Sequence, residues 1–257
     1  MAILVLHALR HGQHVLVEKH VGNSVQDILK MADAAQRYQR VVMPAHNYVY
    51  QPDVWRARRL IRQGDLGRIC AAWVTYAIFH SEEIAAHYHG VLREVLAHHL
   101  YLTLYLLGRP ARLWATQQSL HYERLQQDDQ ASMVLQMEDG SVAHLFATFA
   151  ADDPTSTPWN FMFKVLGTRG GATYSWRDAV FQRPLGTLGI AIVPYEESFT
   201  YEVQHFIRRC ILRGDAPLST IKDAARVHRL IELAEQSIAT GMAVPVQGDE
   251  ALSATQW

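Results

Sequence analysis

A short apolar run near the start of the chain constrains the fold more than any other stretch. Residues 14–17 (His-Val-Leu-Val) are apolar without alternation, which is typical of a parallel strand covered on both faces. A helical pattern over residues 2–11 precedes this run, and a helical pattern capped at Ser24 and a second apolar strand at 41–45 follow it. The order helix, strand, helix, strand predicts the last part of a doubly wound α/β unit.

The first predicted strand covers residues 14–18 and ends in Glu18, and Lys19 follows it directly. Ligands of open α/β sheets bind at the carboxyl ends of the parallel strands. Most lysines are nevertheless exposed and without a specific role, so Lys19 is either a solvated loop residue or a ligand contact. Its place at the end of a strand makes it a candidate site residue.

The pattern changes after residue 52. A helix closed by Gly64 leads to a long strand at 67–79, and later strands are predicted at 112–119, 130–138, 141–150, 159–167, 171–176 and 179–183. The Asp139-Gly140 pair and the glycines of 167–171 predict tight turns. We therefore expect a mostly antiparallel sheet. Four aromatic residues of its strands belong either to the core or to a subunit interface: Trp73, Tyr76, Phe146 and Phe161.

Three helical patterns accompany these strands. A helix is predicted at 91–107; its apolar run, residues 95–107, is shorter than a membrane span, so the helix is expected to be buried. An apolar stripe including Phe199, Val203, Phe206 and Ile207 predicts a second helix, and Thr220 with Asp223 predicts the cap of a third. The predicted fold class is α/β plus α+β, with helices on one face of the sheet, and the predicted domains are 1–52 and 53–257.

Charge and cysteine content exclude several classes of partner. The chain has 24 Lys and Arg residues against 25 Asp and Glu residues, so no strong overall charge would attract nucleic acid or an anionic membrane. A small-molecule ligand fits this balance. The two cysteines, Cys70 and Cys210, are far apart and form no disulfide pattern, which favours a cytoplasmic location.

Glu94 and His98 form the second candidate constellation. Their i, i+4 spacing on the apolar helix places them on one face, where the carboxylate would orient the imidazole and raise its pKa. Such a pair serves as a general acid or base near neutral pH. The alternative is a hydrogen-bonded core histidine with no chemical role.

The histidines also raise the question of a metal site. Two local groups, His87 with His89 and His98 with His99, stand among 14 histidines. Adjacent or i, i+2 histidines on a helix do not converge on one ion, and no cysteine or His-Glu-x-x-His pattern supports them. The sequence therefore predicts no metal site.

With these residues in view, the chain resembles the Gfo/Idh/MocA family of NAD(P)-dependent oxidoreductases. Residues 8–19 read ALRHGQHVLVEK, which is similar to the family pattern ALxxGKHVLVEKP. Further matching stretches follow in order over nearly the whole length; they are His46-Asn47-Tyr48 with Pro52, Ile61 to Gly67, Gly90 to Gly108, Tyr201 to Phe206 with Asp223, and Ser237 to Gly241. The resemblance identifies residues 1–52 as part of a Rossmann-like dinucleotide-binding domain and 53–257 as a substrate-binding and oligomerisation domain.

The resemblance implies a function and a set of site residues. In this family a hydride moves between NAD or NADP and a hydroxyl carbon of a sugar-like or polyol substrate. Lys19 matches the lysine that contacts the nicotinamide ribose and the substrate, Glu18 and Asn47 match cofactor-side positions, and His98 matches the proton donor or acceptor. Glu94 occupies the position of the family's aspartate. The resemblance also implies a homo-oligomer that pairs through the antiparallel sheet.

The sequence departs from the family pattern at several points. His20 stands where the family has proline, and Leu96 replaces a glycine. No Gly-x-Gly-x-x-Gly occurs anywhere in the 257 residues, so the turn that cradles dinucleotide phosphates is missing. We therefore expect either an oxidoreductase truncated at its N-terminus or a truncated, non-catalytic paralogue with a ligand-binding or interaction and regulatory role. Either would bind NAD(P) weakly.

Overall fold

A computed structural model describes residues 1–151, 161–175, 182–183 and 195–247. The chain begins with α1 (Ala2–Arg10), β1 (Val15–Val17), α2 (Val25–Tyr38) and β2 (Val42–Pro44). Strands β1 and β2 are parallel, with Val15 opposite Val42. Ser24 caps α2, since its hydroxyl accepts a hydrogen bond from the Asp27 amide at 3.2 Å. The predicted order of helix, strand, helix and strand is confirmed.

A larger unit follows β2. Its first part contains a 3-10 helix (Asn47–Tyr50), α3 (Pro52–Arg62), β3 (Ile69–Ala77), α4 (Glu82–Ala85), α5 (Val91–Glu94) and α6 (Leu96–Leu107). Its second part contains β4 (Pro110–Gln118), β5 (Gln130–Met137), β6 (Val142–Thr148), β7 (Phe161–Gly167), β8 (Gly170–Ser175), β9 (Gln182–Arg183), α7 (Tyr195–Gln204), a π-helical segment (His205–Ile211), α8 (Ile221–Thr240) and β10 (Val244–Pro245). The predicted strands 159–167 and 179–183 lie partly outside the described residues.

The described strands of the larger unit form one sheet in the order β10-β4-β5-β6-β3-β7-β8-β9. Every neighbouring pair is antiparallel except β3 and β6, which run parallel. The Asp139-Gly140 turn joins β5 to β6, and Gly140 has φ +85°, a conformation that glycine adopts without strain. The predicted mostly antiparallel sheet is confirmed.

The two faces of the sheet differ in burial. Alternate side chains of β3 are buried, including Val74 and Tyr76, whereas Trp73 and Thr75 are only half-buried. Helices α6 and α8 pack on the sheet. Phe161 belongs to the buried set with Tyr76, while Phe146 lies opposite Thr75 and shares its half-buried face. Tyr76 and Phe161 are therefore core residues, and Trp73 and Phe146 belong to the open face.

Helix α8 packs against both sheets. It contacts α2 and β2 on one side and β4 on the other. Thr220 and Asp223 form the predicted capping box, in which the Asp223 amide donates to the Thr220 hydroxyl at 3.2 Å. The two-stranded and eight-stranded sheets are thus held to one helix, and the division at residue 52 stays a prediction.

None of the helices in the described ranges is both long enough and apolar enough to cross a lipid bilayer. Helix α6 illustrates the point, because it has only 12 residues although nearly all its side chains are buried. Its apolar character is explained by its place between the sheet and α8. The prediction of a buried helix for this stretch is confirmed.

The difference between the two sheet faces predicts a difference in mutational cost. Met133 on β5 is fully buried, whereas Met162 on β7 is half-buried on the open face. We expect Met133→Ala to lower the free energy of unfolding by about 2–5 kcal/mol, and Met162→Ala to lower it by much less. Urea denaturation of both variants measures this difference. A loss below about 1 kcal/mol for Met133→Ala would contradict the assignment of the core face.

Candidate active site

Lys19 lies just beyond the carboxyl end of β1 and forms an ion pair with Glu94. Its ammonium contacts the Glu94 carboxylate and also donates to the Glu94 backbone carbonyl at 3.2 Å. The two residues are 75 positions apart in the chain, and their side chains are 22% and 9% exposed. The structure therefore brings together two of the predicted site residues from different structural units.

A break in the predicted helix at 91–107 makes this contact possible. Val95 separates α5 from α6 with φ −102° and ψ −47°, and the His98 amide donates to the carbonyl of Val95 at 3.0 Å. In a continuous helix that amide would donate to Glu94, four residues back. The Glu94 carbonyl is thus free to accept the Lys19 ammonium. The prediction of one continuous helix is wrong at this point.

The predicted pairing of Glu94 with His98 is also wrong. Within the described chain, Glu94 accepts hydrogen bonds from Lys19 and His89, and no hydrogen bond joins it to His98. Burial alone would raise the pKa of Glu94, but the charge and hydrogen bond of Lys19 bring that pKa below its ordinary value. The carboxylate is therefore ionised, and Lys19 is its main partner.

His98 has a pKa well below the ordinary value of histidine, the opposite of the predicted shift. Burial is the largest cause, and the positive charge of Lys19 is the next. The ring of His98 stacks on Tyr48 with centroids 4.7 Å apart, and it meets His46 edge-on at 5.7 Å. Its Nδ1 is buried and has no hydrogen-bond partner among the described residues. His98 is thus a neutral imidazole, and no hydrogen bond at Nδ1 among the described residues fixes which of its nitrogens carries the proton.

Asn47 and Glu18 lie at the same edge of the small sheet but make other contacts. Asn47 is buried in the 3-10 helix after β2, and its side-chain amide donates to the Ser198 hydroxyl at 2.8 Å. Glu18 is exposed next to Lys19. Because β1 and β2 are parallel, their carboxyl ends place these residues on one edge. Their assignment to cofactor binding stays a prediction.

His20 replaces the family's proline and takes part in the same cluster. The peptide bond between Lys19 and His20 is cis. The His20 Nε2 lies 2.9 Å from the Arg93 carbonyl, an oxygen that can only accept, so Nε2 carries the proton. Burial lowers the pKa of His20, although this hydrogen bond and Glu94 act in the opposite direction. The histidine at this position therefore ties the Lys19 loop to the end of α5.

Glu202 on α7 is a further candidate residue that the sequence reasoning missed. It is 2% exposed, and its Oε1 lacks a hydrogen-bond partner in the described part of the chain. Burial, together with the negative charge of Glu18, raises its pKa to about 8. A carboxyl group with such a pKa is partly protonated at neutral pH and can donate or accept a proton.

Glu202 was missed because the buried face of this helix was predicted incorrectly. The predicted stripe includes Phe199, Val203 and Ile207, and each of these is more than 40% exposed. Phe206 and Cys210 of the predicted stripe are buried as expected, and the rest of the buried face is Ser198 and Glu202, so the buried residues recur every four positions. The π-helical segment His205–Ile211 changes the register from the ordinary helical period. A four-residue search along residues 198–210 would have found Glu202.

The raised pKa of Glu202 predicts a pH-dependent stability. The pKa of Glu202 rises from 4.5 to about 8 on folding. Its contribution to the free energy of unfolding is therefore fully present below pH 4.5 and is lost as the pH rises through 8. We expect Glu202→Gln to gain stability relative to the wild type over this interval, by several kcal/mol in order of magnitude. Urea denaturation at pH 5, 6.5 and 8 measures the difference. The exposed Glu197→Gln on the same helix is the control, and parallel curves for Glu202→Gln and wild type would refute the shift.

Comparison with known proteins provides independent information on this arrangement. A model of the GFO/IDH/MocA C-terminal domain family matches residues 54–173. A 1-carboxy-3-chloro-3,4-dihydroxycyclo hexa-1,5-diene dehydrogenase of Comamonas testosteroni is 36% identical over 62 residues. That match spans 24% of this chain and only 16% of the Comamonas protein, so it supports relationship over a short region.

Solved structures match over nearly the whole chain. An oxidoreductase from Agrobacterium radiobacter, determined in complex with NAD+, L-tartaric acid and magnesium, is similar with a TM-score of 0.82 at 18% identity, covering 95% of this chain and 76% of that one. An inositol dehydrogenase homolog from Azotobacter vinelandii, complexed with NADH and myo-inositol, has a TM-score of 0.78 at 21% identity, with coverages of 95% and 75%. At these identities the likeness establishes the fold.

The family match, the fold and the sequence motifs agree with one another. The matched residues 54–173 run from α3 into β8 and include the central strands of the eight-stranded sheet. Solved structures share this fold over 95% of the chain. The predicted resemblance to the Gfo/Idh/MocA family is therefore supported over residues 54–173, which the model of the GFO/IDH/MocA C-terminal domain matches.

Proposed function

We propose that this chain serves an oxidoreductase reaction of the Gfo/Idh/MocA type, in which a hydride moves between NAD(P) and a hydroxyl carbon. One observation carries the proposal. Lys19 stands at the carboxyl end of β1, fixed by Glu94, and its charge acts on a neutral His98 whose Nδ1 has no partner among the described residues. A cation and a free imidazole nitrogen in one neighbourhood are suited to hold and deprotonate a hydroxyl group.

The proton chemistry follows from the states of these groups. The Lys19 ammonium has three N–H donors. The carboxylate and the backbone carbonyl of Glu94 accept two of them in the described part of the chain, so the third is assigned to a substrate oxygen. His98 is neutral and accepts the hydroxyl proton as the carbinol is oxidised. In the reverse direction the resulting imidazolium returns that proton to the carbonyl oxygen. Lys19, His98 and the positioning residue Glu94 are the residues we assign to this step.

The residues of this chain fit the nicotinamide end of NAD(P) but not its diphosphate. The carboxyl ends of β1 and β2 carry Glu18, Lys19 and Asn47 at one edge, which suits the nicotinamide end. The phosphate-binding pattern Gly-x-Gly-x-x-Gly does not occur in the sequence, so the residues present do not fit the diphosphate. A bound NAD(P) would supply the hydride acceptor or donor, and the chain's own residues would orient the substrate and exchange the proton.

Relatives with stated ligands indicate the substrate class. The Comamonas relative is named for a dihydroxylated ring that carries a carboxylate, and the Azotobacter homolog was determined with myo-inositol. A levoglucosan dehydrogenase complexed with NADH and L-sorbose also shares the fold, with a TM-score of 0.79. We propose a polyhydroxylated ring or another sugar-like polyol as the substrate.

The open face of the sheet supports a homo-oligomer. Trp73 is stacked on His144 there with centroids 5.4 Å apart, and Phe146 and Met162 share this half-buried face. An extended apolar surface of this kind is typical of a subunit interface. We propose that two copies pair through this face. The cytoplasmic location expected from the cysteine content stays a prediction.

Turnover of variants tests the assigned roles. Oxidation of myo-inositol and a panel of cyclic polyols with NAD+ or NADP+ is followed by the absorbance of the reduced cofactor. We expect His98→Gln to lower kcat by about 10²–10⁴-fold, the range for loss of a general base, and Lys19→Met to lower kcat/KM because it removes the substrate contact. Lys30→Met changes an exposed lysine on α2 and is the matched control. Wild-type turnover in His98→Gln would rule out the acid/base role.

The absence of the glycine pattern favours a second candidate function. A chain that cannot hold the diphosphate would act as a non-catalytic ligand-binding or regulatory protein that keeps the polyol site. We expect weak binding of NADH and NADPH to the 257-residue chain by calorimetry, because the phosphates lack their cradle. Saturable binding with a low-micromolar Kd would refute that expectation. Polyol binding that is lost in Lys19→Met, without turnover by the wild type, would establish the second function.

A further inference from the structure

The Glu94 carboxylate faces two histidines on the side away from Lys19. Its Oε2 contacts the Lys19 ammonium, whereas its Oε1 lies 3.3 Å from the Nδ1 of His89 and 3.9 Å from the Nδ1 of His20. One ligand atom from each of the three residues lies within 4.8 Å of the other two. The three donors are not a local pair of histidines, so the spacing of histidines in the sequence does not indicate them.

These separations are close to those of a transition-metal site. Two donors bound tetrahedrally to Zn²⁺ at about 2.1 Å are roughly 3.4 Å apart. The Oε1 to His89 distance of 3.3 Å matches this value, whereas the Oε1 to His20 distance of 3.9 Å must shorten when an ion binds, as must any separation near the 4.8 Å limit of the cluster. Two imidazoles and one carboxylate are a donor set that binds zinc and related divalent metals in proteins.

A hydrogen bond prepares His20 for metal binding, whereas the Nδ1 of His89, which lies 3.3 Å from the Glu94 Oε1, would bind an ion in place of a proton. The Nε2 of His20 lies 2.9 Å from the Arg93 carbonyl and donates its proton there, so the lone pair of the neutral ring is on Nδ1, the atom that faces Glu94. Metal-bound histidines in proteins are usually fixed in the same way, through the second ring nitrogen. The cluster thus has an oriented donor and not only three residues near one another.

The position of the cluster allows an ion to reach it. The side chains of His89 and His20 are 76% and 34% exposed, whereas Glu94 is only 9% exposed. The carboxylate therefore lies at the base of the cluster and the histidines at its outer side. Lys19, the charged neighbour of the carboxylate, occupies the opposite oxygen, so an ion on Oε1 does not require its displacement.

We propose that His20, His89 and Glu94 form a binding site for a divalent transition-metal ion such as Zn²⁺, beside the candidate active site. Three protein ligands leave a fourth position for water or another oxygen ligand. The proposal revises the expectation from the sequence that no metal is bound. It shares Glu94 with the proposed oxidoreductase site, but it does not require that function, and the variants that test it change His20 and His89 only.

Zinc titration of the full chain tests the proposal. Competition with a chromophoric zinc chelator gives the affinity, and the visible absorption of added Co²⁺ reports the coordination of the ion. We expect one site with a micromolar Kd in the wild type and a loss of affinity of at least 10-fold in His89→Ala. His87→Ala is the matched control, because His87 is exposed in the same segment, and it should bind zinc as the wild type does.

A second variant, His20→Ala, tests the site at a different ligand. His20→Ala should weaken zinc binding at least as much as His89→Ala and should abolish the Co²⁺ absorption bands. Equal zinc affinity in the wild type and in His89→Ala would overturn the proposal, as would the absence of saturable binding by the wild type. Circular dichroism of each variant verifies the fold, and the high exposure of His89 makes its replacement a mild change.

Discussion

The ion pair between Lys19 and Glu94 determines the arrangement of the candidate site. It connects the end of a parallel strand to the point where α5 stops and α6 begins, and the lysine also bonds to the carbonyl that the helix break exposes. Charges that are largely removed from water are stable only with such partners. Removing either partner would leave the other charge uncompensated, so the strand and the helix junction depend on each other for their positions.

Buried polar groups of the described chain include some with hydrogen-bond partners and some without. Tyr50 and Ser219 are joined at 2.7 Å, and Ser219 also donates to the Pro44 carbonyl at 2.8 Å, which holds α8 to the small sheet. His98 and Glu202 instead keep buried atoms without partners in the described residues. A buried polar atom without a partner lowers stability. The first set supports the scaffold, and the second is consistent with groups reserved for a ligand.

Much of the fold was predictable from sequence because it depends on local patterns. The apolar run before Glu18, the Asp139-Gly140 turn and the cap at Thr220 each specify their element through nearby residues. The site depended on contacts that periodicity cannot contain. A regular helix would pair Glu94 with His98, but the break at Val95 and the distant Lys19 change the partner of Glu94. Burial, followed by the charge of Lys19, lowers the pKa of His98. Glu202 escaped prediction for another reason, because the buried face of its helix recurs every four residues and carries polar side chains at Ser198 and Glu202.

Among the described strands of the large sheet, β3 and β6 form the parallel pair, and this pairing affects the order in which contacts form during folding. Strand β3 pairs with β6, where Ala71 meets Val142, and with β7, where Tyr76 meets Phe161. Both β6 and β7 are synthesised long after β3, and the apolar helix α6 lies between β3 and β6 in the chain. Contacts this distant slow folding. Helix α6 precedes β6 in the chain, so during synthesis its apolar surface is made before the strand that covers it, and apolar surface exposed at that stage is prone to aggregation.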